Sequence, residues 1–158
     1  MENDDYNDGG YVILYRSRNN RRILIAGDSH DATWEHIIEN HHSDVANVDL
    51  LVAPHHGRHS DRSFRFLDVV QPKVTFFGNA PSEHLAYGPW YNRDLTVVTN
   101  NQADCMVVDT DETLMNFYVT NKAFADKRAM EKGYQTRYSP KHRAYFLGHV
   151  NDGIREAA

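Results

Sequence analysis

Two short apolar runs that end alike constrain this chain more than anything else in it. Residues 23–28 read Ile-Leu-Ile-Ala-Gly-Asp, and residues 48–57 read Val-Asp-Leu-Leu-Val-Ala-Pro-His-His-Gly. A brief apolar run closed by Gly or Pro is the pattern of a buried β-strand. Between the two, Trp34, Ile37 and Ile38 fall at i, i+3 and i+4. That spacing predicts a helix opening near Asp31 or Thr33 and fraying over 41–43. If the two strands are neighbours, a carboxylate (Asp28) and an imidazole pair (His55, His56) arrive at one sheet rim. The glycine before Asp28 lets the backbone turn sharply there.

The rest of the chain builds a sheet domain around these strands. Residues 1–10 form a loose entry. Residues 11–15 (YVILY) and 22–26 (RILIA) predict a hairpin, with Asn19-Asn20 as the turn pair because Asn tolerates positive φ. Residues 62–70 place Phe66, Leu67 and Val70 at helical spacing, closed by Pro72. Strands are expected at 74–77, 95–99, 105–109 and 113–120, and a helix at 121–132. Residues 79–92 read as a long ordered loop, a length uncommon unless functional. The order β-β-α-β-α-β-β-β-β-α makes an α+β domain, a mixed sheet with helices on one face. Residues 1–120 are taken as that domain. Residues 121–158 are taken as a helix and a polar, basic-aromatic tail or docking segment.

Composition sets limits. The chain has 158 residues, with 17 Lys and Arg against 22 Asp and Glu, a formal net charge of −5. This argues against nucleic-acid binding by bulk charge alone, though local basic patches remain open. A single cysteine, Cys105, leaves no internal disulfide framework and no Cys-cluster zinc site. No apolar run reaches the ~18–20 residues that span a bilayer. The N-terminal MENDDYNDGG is acidic and polar, unlike a secretory signal. The expected location is the cytoplasm, with no membrane partner. There is no Walker motif and no Gly-rich dinucleotide loop.

Ten histidines are many for this length, and three of them, His55, His56 and His59, lie within five residues. Carboxylate oxygen with imidazole nitrogen suits zinc, manganese or iron. Asp28 equally suits a turn or a cap ahead of the Trp34 helix, and a histidine pair equally suits an ordinary loop. Arg58 and His59, beside the His pair, are candidate substrate contacts. Arg62 and Arg65 could steer an anion toward them, Arg58 and Arg62 sharing a face if the helix starts early enough. Arg16, Arg18, Arg21 and Arg22 around the first turn could meet a phosphate backbone or simply be solvated. Tyr134, Tyr138 and Tyr145 with Arg137, Lys141 and Arg143 could stack on bases or simply pack.

In series, strand, Gly-Asp, helix, strand, Pro-His-His-Gly, helix, strand, Asn/Tyr/Gly/Pro loop and meander resemble the C-terminal half of the metallo-β-lactamase fold. The likeness is to the branch of the competence-protein (ComEC-like) nuclease domains, and it covers roughly residues 7–120. Residues 24–28 resemble that branch's Leu-Leu-x-Gly-Asp, and residues 49–57 its Asp-x-Leu-x-x-Pro-His-His-Gly. The resemblance implies half of an αββα sandwich. It implies a divalent metal, zinc first and manganese second, with Asp28 as the bridging carboxylate, His56 as a ligand and His55 as a further ligand or support. It implies hydrolysis by a metal-generated hydroxide, with a phosphodiester or nucleic acid as substrate.

The departures are equally specific. The family's His-x-His-x-Asp-His motif and its further single histidine do not occur here. His56 and His59 are three apart, and no histidine follows Asp61, so residues 55–61 do not replace that motif. Arg58 stands where the branch has Ser, and Gly88-Pro89-Trp90 where many relatives have Gly-His-Pro. Two or three ligands fall short of a working centre. The chain thus reads as an incomplete domain needing a partner or its N-terminal half, or as a non-catalytic binding or assembly module on the same fold. Half a sandwich also leaves an apolar sheet face open, so a second chain or a homodimer is expected to cover it.

Overall fold

The computed structural model describes residues 10–111 and 113–151, and the predicted loose entry lies almost wholly outside them. The expected hairpin is present. β1 (Ile13–Arg16) pairs antiparallel with β2 (Arg22–Ile25), Ile13 opposite Ile25 and Arg16 opposite Arg22. Asn20 takes a φ of +58°, the conformation for which the turn selects asparagine. β3 (Leu50–Val52), β4 (Val74–Phe77) and β5 (Val97–Thr99) then add in parallel, giving a mixed sheet in the order β1-β2-β3-β4-β5.

Side-chain alternation divides this sheet into two faces. Leu24, Leu51, Phe77 and Val97 point to one side, with Trp34, Phe66 and Trp90 packed on them. Leu50, Phe76 and Val98 point to the other. The first side is covered by α1 (Asp31–Val45), α2 (Leu67–Val70) and α3 (Tyr87–Tyr91). Trp34 stacks on Phe66 with ring centroids 4.2 Å apart. Trp90 is fully buried edge-on to Phe77 and donates its indole N–H to Thr75 Oγ1 at 2.9 Å. The expected loop 79–92 is therefore partly helical, and it supplies the largest fully buried side chain. The helix expected over 62–70 is confined to Leu67–Val70, because Phe64 sits at a φ of +54° and breaks the run. Its apolar residues are buried as the spacing required.

The second side is covered from within the chain. After α4 (Asn100–Ala103), β6 (Met106–Thr110) and β7 (Leu114–Val119) form the expected meander, and α5 (Lys122–Glu131) follows. Residues 133–151 are not simply a tail. They hold β8 (Tyr138–Ser139) and β9 (Ala144–Asn151), which complete a four-stranded antiparallel sheet in the order β6-β7-β9-β8. Met115, Phe117, Leu147 and Val150 from this sheet, with Ala125 from α5, bury Leu50, Phe76 and Val98. The sheet face expected to lie open is thus largely closed by residues 106–150. What stays exposed is its β1 margin, where Ile13, Tyr15 and Ile25 are 54%, 53% and 40% accessible. Among the described residues no helix is long and apolar enough to cross a membrane.

Three buried charges, Arg21, Arg22 and Asp49, lock the lower end of the first sheet, where the parallel strands begin. Arg22 on β2 reaches across to α1 and donates to the carbonyls of Ser43, Asp44, Ala46 and Asn47 at 2.7–3.3 Å, closing the helix C-terminus. Asp49, fully buried, accepts from the Arg22 backbone N–H at 2.9 Å, from Lys73 Nζ at 3.0 Å and from Arg21 at 3.3 Å. Arg21 also donates to the Thr113 carbonyl, tying the first hairpin to the second sheet. Arg21 and Arg22 therefore serve as fold anchors rather than as members of a solvated turn or phosphate patch.

Candidate functional site

The C-terminal ends of β2, β3 and β4 make one rim. Ile25 is in register with Val52, and Val52 with Phe76, so the segments that follow these strands leave the sheet side by side. The His55 N–H donates to the Gly27 carbonyl at 2.8 Å, fastening the Pro54–Gly57 turn to the Gly-Asp turn. The Gly78 N–H donates to the His56 carbonyl at 3.1 Å, fastening the same turn to the end of β4. The loop after β4 joins as well. Ala86 N–H donates to Gly57 O at 2.8 Å, Arg58 bridges to Leu85, and His59 N–H donates to His84 O at 2.7 Å.

The Pro-His-His-Gly turn needs its particular residues. Its first histidine has a φ of +50° and its second +59°, outside the range most L-residues adopt. Gly57 has a φ of +80°, and a Cβ there would come within 2.5 Å of the Phe77 ring. Gly78 leaves room for the His56 ring, since a Cβ at that position would sit 2.6 Å from His56 Nδ1.

Asp28, His56 and His59 are exposed on this rim, Arg58 and His55 are half-buried, and His84 is exposed beside His59. Asp28 is not the cap of α1. That position belongs to His30, and the first-turn acid is Asp31, whose carboxylate accepts from the Ser63 N–H at 2.9 Å. Sequence reasoning missed His84 and Gly78 because nothing around them signals function. Only the pairing of the two loops brings them in.

Arg62 departs from expectation. It is neither on a helix nor available to steer a substrate. It is buried, and it donates to the carbonyls of Ser29 and Asp28 and to His55 Nδ1 at 3.1 Å. A guanidinium has no lone pair to offer. His55 Nδ1 is therefore the acceptor, and the ring proton sits on Nε2. Burial pushes the His55 pKa down, Arg62 pushes the same way, and the Asp28 carboxylate opposes them. His55 is thus held as a neutral ring that braces the turn, leaving Asp28 and His56 as the two outward donors. In Arg62→Met the His55 titration should move up toward the ordinary histidine value near 6.5. Nitrogen-detected NMR would register the change, and an unmoved His55 would contradict this geometry.

Among the described residues no three His, Cys, Asp or Glu side chains converge closely enough to hold a metal ion. A catalytic zinc takes three protein ligands and one open position. Two donors on an open rim do not meet that requirement, so these residues alone do not fit a catalytic metal. Compared with known protein families, curated proteins and solved structures, the chain matches none.

Proposed function

We propose that this chain is the C-terminal half of a metal-dependent hydrolase of metallo-β-lactamase type, directed at a phosphodiester. In this reading Asp28 and His56 are its share of a divalent-metal site, zinc or manganese, that a second polypeptide segment completes. One observation carries the reading: the Gly-Asp and Pro-His-His-Gly turns, far apart in sequence, are joined at one rim by the His55–Gly27 hydrogen bond. Arg58 and His59, on the same rim, would be its contacts to an anionic substrate. No reaction step is assigned to the chain by itself, because it offers two donors. The same shortfall favours a second reading, a non-catalytic binding or assembly module that keeps the fold without the chemistry.

Zinc titration separates the two. On the first reading the chain binds one zinc weakly, and Asp28→Ala or His56→Ala weakens it at least tenfold. Addition of a segment carrying the family's His-x-His-x-Asp-His motif should then raise zinc to near-stoichiometric levels and bring hydrolysis of bis(p-nitrophenyl) phosphate. Zinc binding indifferent to both substitutions, with no gain from the added segment, would leave the module reading in its place.

A further inference from the structure

The two sheets do not close completely at the end opposite the His turn. A cavity of about 350 Å³ remains where β4 begins, between the first sheet, β7, β9 and α5. Its walls are apolar, formed chiefly by Val98, Phe117 and Leu147, all buried. Its charged lining is basic, Lys73 at the entry to β4, Arg128 on α5 and Lys132 just after α5, and Thr96 and His149 complete the polar lining. No carboxylate lines it among the described residues, although acids outnumber bases 22 to 17 in the chain. Two neighbouring acids temper this charge. Asp49 takes Lys73 at 3.0 Å, and Glu131 lies 3.9 Å from Arg128. Lys132, the residue that follows α5, therefore carries most of the local field, with Arg128 contributing less.

We propose that this cavity binds a small amphipathic anion, an apolar chain or ring ended by one carboxylate or phosphate. The volume lies at the low end of small-molecule sites, so a compact ligand fits better than a polypeptide segment. The apolar walls take the body, and Arg128 and Lys132 take the head at the mouth. This site is separate from the rim of Asp28 and His56, which lies past the other end of β4, and it does not depend on the metal reading.

The test uses three probes with one tail: decanoate, decyl phosphate and decyltrimethylammonium, titrated calorimetrically into the whole protein. At least one anion should bind with a Kd of about 10–100 µM, and the cation at least tenfold more weakly. Which anion binds tighter identifies the head group. In Arg128→Glu/Lys132→Glu, the first half-buried near the end of α5 and the second exposed just after it, anion affinity should fall about tenfold, with circular dichroism confirming an unchanged fold. Val98→Trp, which fills the cavity, should abolish binding of all three probes. Failure of both anions to bind, equal affinity for anion and cation, or anion binding unchanged in the folded charge variant would each overturn the proposal.

Discussion

Asp49→Ala is expected to cost about 3–5 kcal/mol of folding stability, because it removes a fully buried carboxylate that accepts at once from Arg21, Lys73 and the Arg22 N–H. The loss should appear as a lower denaturant midpoint, and a change under about 1 kcal/mol would show that the cluster is not an anchor. The same carboxylate gives stability a pH dependence. Burial works to raise its pKa, but the Arg22 N–H, Lys73 and Arg21 outweigh burial and hold it below the ordinary carboxylate range. A depressed folded-state value means that the contribution is complete above the unfolded pKa, about 3.9. It is then lost as pH falls through the lower folded-state value. Asp49→Asn should flatten the acid limb of the stability profile while leaving the shape of the site nearly intact.

Gly57→Ala should be the most damaging single change at the candidate site. The new Cβ meets the Phe77 ring at 2.5 Å in a backbone whose φ of +80° already disfavours an L-side chain. Strain and overpacking together are worth about 3 kcal/mol, or roughly 6–12 °C in Tm for a chain of this size. Relief of the clash has to move the turn that carries His56, so on the proposed metal reading any zinc affinity should fall along with stability. A variant melting within about two degrees of the parent, an effect of about 1 kcal/mol or less, would refute the close approach.

Much of the first sheet was legible in the sequence. The strand at 22–25, the Asn20 turn, the helix from Asp31 and the strand at 74–77 all follow from apolar runs and their punctuation. β9 was not legible, for a definite reason. Tyr145 and Leu147 alternate inward as a strand should, but Phe117 pairs with Gly148 while Tyr118 pairs with Phe146, so one residue is extra. That bulge breaks the period of two, and Val150 rather than His149 is the next to face the core. The reach of α2 was overread because Phe66, Leu67 and Val70 keep helical spacing, while the positive φ of Phe64 leaves no mark in the sequence. At the site, Asp28 and the histidine pair stood out through their glycines and proline. The role of Arg62 did not, since a cation beside a histidine loop reads as a substrate contact until its burial is known.

Arg22 has a wider consequence. It belongs to a strand, yet it terminates the helix that follows, so the length of α1 is dictated by a residue outside it. Helix and strand are thereby indexed to each other like a pawl in a toothed wheel. A one-residue slip of β2 along β3 would turn Leu24 out of its layer and at the same time pull the guanidinium off the helix end. Such double penalties leave the alignment of the sheet a single solution, and the placement of Asp28 at its rim is inherited from that alignment.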